Sequence, residues 1–322
     1  MAQTKINPSD QIPSGSLTRA MLNTTNAGSA VIAKVIAGWG VGLTSTGADS
    51  GTGDVTLGLT GDGLGSRNHL RNPTFVINQR AVSGTVTLAA GVYGHDGVKA
   101  GASGCTYTFS ASGLDTTLTI TAGSLILPIE SVFIEGGSYT LSQAGTAHAR
   151  VWQGTGTTGT GSYVAAPFTV TGLTVNTQTN VEFTTGTVLQ PQFEAGSTAT
   201  NFERRIITDE WSLALRYYLS TYAAGVKPGT AGASPAFAVF AQTAISYLVV
   251  FSGFFPMPMH ANPTIVIYSP NSGASGNVYA NNAGSDQAAY VSGSSRFGLT
   301  VSLNGSSLTG GFQINFTASS DI

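Results

Sequence analysis

The sequence predicts a mainly β protein with a fibrous N-terminal segment, a jelly-roll β-sandwich, one short helix and a C-terminal β-sandwich domain. Short runs of alternating apolar and polar residues recur along most of the chain, separated by turns rich in Gly, Ser and Thr. This pattern is typical of sandwiches and barrels. Gly accounts for 42 of the 322 residues, against an average share of about 7%. We therefore divide the chain into residues 1–67, 68–205, 206–229 and 230–322.

The N-terminal segment has no evident hydrophobic core of its own. A small apolar cluster at Leu17, Met21 and Leu22 precedes a strand candidate at residues 31–36, and Gly interrupts residues 38–59 every few positions. Short strands between such turns bury too little apolar surface in a single chain to offset the entropy of ordering them. Winding with identical copies would supply that burial and predicts a fibrous trimer. A disordered linker rich in Gly, Ser and Thr is the alternative.

The second segment carries an all-β signal. Alternation gives each strand one buried and one solvated face. The strand candidates are residues 85–88, 117–121, 138–141, 147–152, 168–171 and 180–183. Strands at this short spacing predict a sandwich or jelly roll, and a length of about 135 residues suits one such domain.

The third segment predicts a helix. Thr208 is a candidate cap, and Asp209 and Glu210 in the first turn favour the positive end of the helix dipole. Apolar residues at i, i+4, i+7 and i+11 form one stripe, composed of Trp211, Leu215, Tyr218 and Tyr222. Gly225 and Pro228 end the helix. In a trimer three such stripes could pack on one axis, or each helix could lie on its own domain's sheet.

The last segment returns to strands, with candidates at residues 236–240, 247–255, 264–268, 297–303 and 311–316. The run between them, residues 269–295, is rich in Asn, Gly and Ser and predicts a long loop, where recognition residues tend to collect. The most apolar window, residues 244–259, is broken by Ser, Gly and Pro and is shorter than the roughly 20 residues of a membrane helix. It predicts a buried strand, and we expect no membrane insertion.

Charge excludes several functions. Only 9% of the residues are charged, against about 25% in ordinary domains, so a lone monomer risks self-association and an obligate oligomer is favoured. The formal net charge is −2 and the chain has no Lys/Arg run, so nucleic acid is not an expected partner. The N-terminus lacks the pattern of a secretory signal peptide, which predicts synthesis in the cytoplasm.

Cofactor and metal chemistry are poorly supported. Residues 154–159 match a G-x-G-x-x-G pattern, but no helix pattern follows them, so they predict a flexible loop. Cys105 is the only cysteine and cannot form a disulfide within one chain. The four histidines are too scattered for a metal site, and they are His69, His95, His148 and His260. We expect no cofactor and no metal.

A longer motif carries a family resemblance. Gln192-Phe-Glu-Ala-Gly-Ser-Thr-Ala-Thr-Asn-Phe-Glu203 resembles the closing strand of the carbohydrate-binding jelly rolls of bacteriophage tail fibres, and residues 209–218 resemble the short helix that leads into their distal domain. Residues 72–75 and 77–80 resemble the opening of such modules, residues 91–96 resemble their next element, and residues 255–264 resemble the distal domain.

The resemblance implies a homotrimeric tail fibre or receptor-binding protein, located in the virion tail after synthesis in the host cytoplasm. The N-terminal segment would attach to other tail or baseplate proteins, and the two β domains would contact a bacterial surface glycan. Sugar sites combine aromatic walls with a few polar groups. The candidates are Tyr93, Trp152 and Tyr163 in the jelly roll and Tyr279, Asn281, Asn282 and Tyr290 in the distal domain.

Two alternatives remain open. The chain could be a passive spacer or head-surface fibre without a ligand, because Gly97-Val98 replaces the Arg-Trp that such modules tend to carry after Asp96. It could also be a glycan depolymerase, which needs two positioned carboxyl groups. Glu130 with Glu135, or Asp209 with Glu210, are the nearest acidic pairs, but neither lies in an aromatic-lined repeat. We expect a protein that is not an enzyme.

Overall fold

The computed structural model describes residues 42–45, 55–58, 67–241, 247–304 and 310–322. The chain divides into two compact units, Met1–Gly65 and Ser66–Ile322. The structure is mainly β, with 46% strand and 5% helix, and its antiparallel sheets are arranged in a sandwich-like manner. The predicted fold class is therefore confirmed.

The described part of the first unit is one antiparallel hairpin. Strand β1 (Gly42–Ser45) pairs with strand β2 (Val55–Gly58), and Leu43 lies opposite Leu57. These strands lie in the Gly-rich run, where the sequence predicts short strands between turns. The apolar cluster and the strand candidate at residues 31–36 lie outside the described residues.

The jelly-roll region contains nine strands in two sheets. They are β3 (Val86–Leu88), β4 (Lys99–Ser112), β5 (Asp115–Ile129), β6 (Gly137–Ser142), β7 (Ala149–Gln153), β8 (Phe168–Leu173), β9 (Thr179–Phe183), β10 (Gly186–Val188) and β11 (Gln192–Ala195). One sheet has the order β3-β4-β5-β9-β7, with β10 on β5, and the other has the order β11-β6-β8. Tyr107, Leu118 and Phe183 from the first sheet and Tyr139 and Phe193 from the second belong to one buried core.

All six strands predicted by alternation in this region are confirmed; β10 was not predicted, and neither was the much longer β4. Its sequence is rich in Ala, Gly and Ser, which have low strand propensity. Pairing with β5 over most of its length orders β4 despite that composition. Local propensity is therefore overridden by the neighbouring strand.

The helix is shorter than predicted. Helix α1 spans Ile207–Leu215, with Asp209 and Glu210 in its first turn as expected. The predicted cap is wrong, because Ile206 occupies the N-cap position and no side chain bonds there.

The predicted four-residue helical stripe is also wrong, because Tyr218 and Tyr222 lie beyond the helix. Tyr218 begins strand β12 (Tyr218–Ser220), where it pairs with Ser319. Pairing with β19 provides this segment with backbone hydrogen bonds in a sheet. One more turn would add little to the stability of a short helix.

The distal region contributes seven further strands. They are β13 (Phe237–Ala241), β14 (Tyr247–Phe254), β15 (Thr264–Tyr268), β16 (Asn277–Ala280), β17 (Ser285–Ser295), β18 (Gly298–Asn304) and β19 (Gly310–Ser319). The sheet has the order β12-β19-β16-β17-β18-β14, and β13 and β15 also pair with β19. Its core includes Met259, Val278, Val301, Phe312 and Phe316.

The five predicted distal strands are confirmed, but two features differ from the prediction. The expected loop at residues 269–295 contains β16 and β17. Ser292 on β17 and the buried Ser302 on β18 are hydrogen-bonded across the strands at 2.7 Å, so hydroxyl-rich residues form a regular strand. The predicted buried strand β14 has a solvent-exposed apolar side, where Val249 is 45% and Phe254 92% exposed.

The long sequence motif folds into a buried hydrogen-bond network. The Gln192 side chain donates to Glu194 at 2.9 Å, and Thr200 donates to both Glu194 oxygens through its main-chain N–H and its hydroxyl. The Glu203 N–H donates to Gln192 at 2.6 Å, and the Glu203 carboxylate accepts from the Asn68 N–H at 2.7 Å. These motif residues therefore close the jelly roll by joining its last strand to its first residues.

A second group of motif residues joins the jelly roll to the distal sheet. Gln79 donates from its N–H and its side-chain amide to the two oxygens of Asp96, both at 2.8 Å. The same amide donates to the Tyr218 carbonyl at 2.8 Å, and the Gln79 side-chain oxygen accepts from the Ser220 N–H at 3.2 Å. Gln79 thus bridges the two β regions through β12.

The helix is held by a buried acid. Glu210 accepts from the Asn72 N–H and from Arg205 Nε, both at 2.8 Å. The rest of the Arg205 guanidinium donates to the main-chain oxygens of Asn68 and Leu70. Both charged side chains are at most 6% exposed. The start of α1 is therefore fixed to the entrance of the jelly roll.

We expect Glu210→Gln to lower the free energy of unfolding by about 3 to 5 kcal/mol, because it leaves Arg205 buried without its counter-charge. Denaturant titration of the purified chain measures the change. Glu135→Gln is the matched control, because Glu135 is exposed and surface changes stay within about 0.5 kcal/mol. Equal losses in the two variants would contradict the assigned role.

Burial of His95 predicts acid sensitivity. Desolvation lowers the pKa of His95 to about 4, whereas an unfolded His titrates near 6.5. Above about pH 6.5, His95 is neutral in both the folded and the unfolded chain, so its titration does not lower the free energy of unfolding. As the pH falls from about 6.5 to about 4, only the unfolded state gains the proton, and the free energy of unfolding drops by up to about 3 kcal/mol.

Denaturant titrations at pH 7, 5.5 and 4 check this expectation on the wild-type chain and on His95→Gln. The variant should lack this component, so the stability difference between the two chains should shrink as the pH falls. Parallel pH profiles would show that His95 does not carry it.

Candidate ligand-binding and interaction surfaces

Two of the predicted sugar-binding aromatics meet at a buried carboxylate. Glu182 on β9 is 2% exposed and accepts four hydrogen bonds of 2.7 to 2.9 Å, from Ser124 Oγ, Arg150 Nε, Trp152 Nε1 and Tyr163 Oη. Adjacent strands deliver the donors, since Arg150 lies directly opposite Glu182 in the β7–β9 pair. Because both carboxylate oxygens are occupied, Glu182 acts here as a structural acceptor that orients Trp152 and Tyr163.

The indole of Trp152 is covered by the Gly-rich loop. Gly159 lies so close that an added Cβ would come within 2.2 Å of the ring, and the Gly154 carbonyl accepts from the Asn180 amide at 2.7 Å. Trp152 is accordingly only 6% exposed. The G-x-G-x-x-G run is thus a loop that closes over an aromatic face, and Tyr163 beside it stays half-exposed.

Tyr93 lies where the jelly roll meets the end of β19. Its hydroxyl donates to the main-chain oxygen of Ile322, which also accepts from Lys99 Nζ at 3.2 Å. Burial raises the pKa of Tyr93 above its usual range. The hydroxyl of Tyr93 therefore contacts the C-terminal end of the distal domain, whereas Trp152 and Tyr163 meet at Glu182.

The distal candidates lie on the β16–β17 hairpin. Asn281 and Asn282 form its exposed turn, and their side chains lie against the Gly310–Gly311 backbone. Tyr279 precedes the turn on β16, two residues before Asn281 along the chain, and is half-exposed. Tyr290 is 38% exposed, but it lies four residues along β17 from the partner of Tyr279, about 13 Å away.

One member of each acidic pair of the depolymerase alternative is held by structural hydrogen bonds. Glu130 and Glu135 line one cavity of about 290 Å³, but Glu130 accepts two bonds from Arg216 and one from Tyr217, at 2.6 to 2.9 Å. Burial acts to raise the pKa of Glu130, but the bonds from Arg216 and Tyr217 outweigh it and hold the pKa below its usual range. A glycosidase general acid requires the opposite shift. Glu210 is occupied by Arg205, as described above.

A long apolar surface runs from the helix to the edge of the distal sheet, and we call it the apolar groove. It consists of three adjoining cavities of about 470, 510 and 330 Å³. The first two share Leu219, Ser220 and Pro256, and the last two share Ser252, Gly253 and Phe254. Among the described residues that line the groove, none is Asp, Glu, Lys, Arg or His.

Three members of the predicted helical stripe line the first cavity, namely Trp211, Leu215 and Tyr222. The fourth does not, because the Tyr218 ring packs under the Arg80 guanidinium, 3.6 Å from its centroid. Phe254, which lies between the second and third cavities, was not among the predicted site residues. A signal existed: Phe254 and Phe255 are consecutive in an extended segment, so one of the two rings must point away from the core.

No protein-family model matches the sequence, and neither a curated protein nor a solved structure is significantly similar to it. Within the ranges that the structure describes, no helix is long and apolar enough to cross a lipid bilayer. In those same ranges no three His, Cys, Asp or Glu side chains are grouped so that they could hold a metal ion.

We expect Gly159→Ala to lift the loop from Trp152, because the new methyl group overlaps the indole. In a chain that also carries Trp39→Phe and Trp211→Phe, the tryptophan emission should shift to longer wavelength and become more accessible to acrylamide. Gly156→Ala is the control in the same loop, since its Cβ would have no neighbour closer than 3.8 Å. Unchanged emission in Gly159→Ala would contradict the covering role.

Proposed function

We propose that the chain is a homotrimeric tail fibre or receptor-binding protein of a tailed bacteriophage, and that it mediates adhesion to the host cell surface through surface glycans. The observation that carries the proposal is the location of the motif residues. They form the buried network that closes the jelly roll and joins it to the distal sheet. The resemblance thus rests on the residues that define the architecture. Residues 1–67 would attach the fibre to other tail or baseplate proteins.

The composition supports an oligomer. With 9% charged residues, the surface lacks the charge that keeps monomers apart. The apolar groove adds exposed aromatic side chains, of which Phe254 is 92% exposed. Larger exposed apolar patches typically mark interaction sites.

The distal hairpin is the best-supported glycan contact. Exposed Asn281 and Asn282 amides next to the half-exposed Tyr279 ring combine hydrogen-bonding groups with an aromatic wall. A single site of this kind is weak. Three copies on one fibre, and several fibres on one particle, raise the effective concentration and give firm attachment without catalysis.

A passive spacer is the second candidate, and one observation favours it. The Gly159 backbone occupies the face of Trp152, which is the largest aromatic candidate in the jelly roll, and Gly97-Val98 offers no aromatic replacement. In this reading the jelly roll only extends the fibre.

A glycan array of bacterial capsule and O-polysaccharides, probed with the full-length chain, tests adhesion. We expect binding to at least one polysaccharide class. The double variant Asn281→Ala/Asn282→Ala should bind at least tenfold more weakly, whereas Asn271→Ala, an exposed Asn outside the hairpin, should bind as the wild type does. If the chain binds no polysaccharide on the array, the passive spacer is favoured. If the double variant binds as tightly as the wild type, the glycan site lies elsewhere on the chain.

A further inference from the structure

We propose that the apolar groove is the contact between neighbouring copies of this chain, and that Phe254 of one copy inserts into the Trp211-lined cavity of the next. This inference rests on the proposed homotrimer and adds the surface by which the copies meet. The groove lining includes a few residues of the resembling segments, such as Gln79 and Pro256, but the contact is argued from exposure, charge and size.

The first argument is exposure. Phe254 is 92% exposed, and Trp211, Phe237 and Val76 in the same groove are 39 to 40% exposed. A fully exposed Phe presents on the order of 200 Å², so these side chains form a sizeable part of the largest apolar patch expected on a monomer, roughly 300 to 600 Å². Burial against another surface removes this area from water.

The second argument is charge. An identical copy presents identical charges, so a charged face placed against its own copy brings like charges together. The described lining of the groove carries none of the five ionisable residue types named above. A partner with charged contact residues would have to desolvate those charges against an apolar wall without compensation. The neutral face therefore fits a second copy of itself.

The third argument is size and shape. The groove is lined by roughly 25 residues, close to the 20 to 30 residues on each side of a standard interface. Phe254 protrudes between the second and third cavities, and the cavity of about 470 Å³ lined by Trp211, Leu215 and Tyr222 lies at the far end of the groove. When the projection of one copy enters the recess of the next, the contact is head-to-tail and closes into a ring when the rotation allows. In the proposed homotrimer that ring has three members.

The first test compares the dissociation of the full-length wild-type chain with that of Phe254→Ser by light scattering over a dilution series. The variant should dissociate to monomers at a protein concentration at least 100-fold higher than the wild type. Phe240→Ser is the matched control, because Phe240 is 72% exposed but does not line the groove. It should stay within about threefold of the wild type.

The second test keeps Phe254 and reads proximity directly. In a Cys105→Ala background, Ser252→Cys beside Phe254 and Ala223→Cys in the first cavity are made as separate chains and co-expressed. Both positions are exposed. A short bis-maleimide should join the two kinds of chain, whereas Ala223→Cys mixed with Asn271→Cys should give no comparable product.

The outcomes separate the two proposals. Oligomers that persist in Phe254→Ser and give no Ser252–Ala223 cross-link would overturn the groove contact and leave the trimer standing. A wild-type chain that is monomeric at all concentrations overturns both. Capture of the monomer by neutral phosphatidylcholine vesicles would show that the groove meets lipid instead. If the cross-link forms but the chain binds no glycan, the proposed adhesion is overturned and the groove contact is retained.

Discussion

Buried carboxylates surrounded by fixed donors are the constraint on which the rest of the structure depends. Five of them are at most 6% exposed, namely Asp96, Glu130, Glu182, Glu194 and Glu210. Each accepts hydrogen bonds from at least two donor atoms, and Glu182 accepts four. Removing a partner from a buried charge costs several kcal/mol. The strands, the helix and the distal sheet are therefore held at the positions that deliver those donors.

This arrangement places an unusual share of the charged side chains in the interior. A chain with 28 Lys, Arg, Asp and Glu residues buries several of them, including Arg71 and Lys99, and leaves Phe254 and Trp211 in contact with solvent. The interior ion pairs specify how the two β regions join. The described lining of the groove, in contrast, consists of amide, hydroxyl and apolar residues, which is the composition expected of the contact between copies that we propose.

Alternation was enough to predict six strands of the jelly-roll region because each needs one buried face, and the core then follows from residues such as Tyr139 and Phe193. It failed where pairing overrides composition, as in β4, which is rich in Ala and Gly, and in β17, which is rich in Ser. The helical stripe failed for a related reason. Trp211, Leu215 and Tyr222 do share a surface, but Tyr222 lies beyond the helix, just after β12. The pairing of β12 with β19, which the helical period does not reveal, positions that segment.

Site prediction from sequence meets a different limit. A sequence can identify Trp152 as a candidate stacking surface, but it cannot show that the backbone at Gly159, seven residues later, covers the indole ring. The motif residues behave in the opposite way, since Gln192 and Glu194 are recognisable in sequence because the fold requires them, and burial removes them from any ligand. A chain can therefore keep every motif residue and still change what it binds, because specificity depends on exposed positions that the motif does not include. Asn281 and Asn282 are positions of that kind. They lie on a hairpin turn that packs against Gly310 and Gly311, so their side chains can vary without disturbing any of the buried carboxylates.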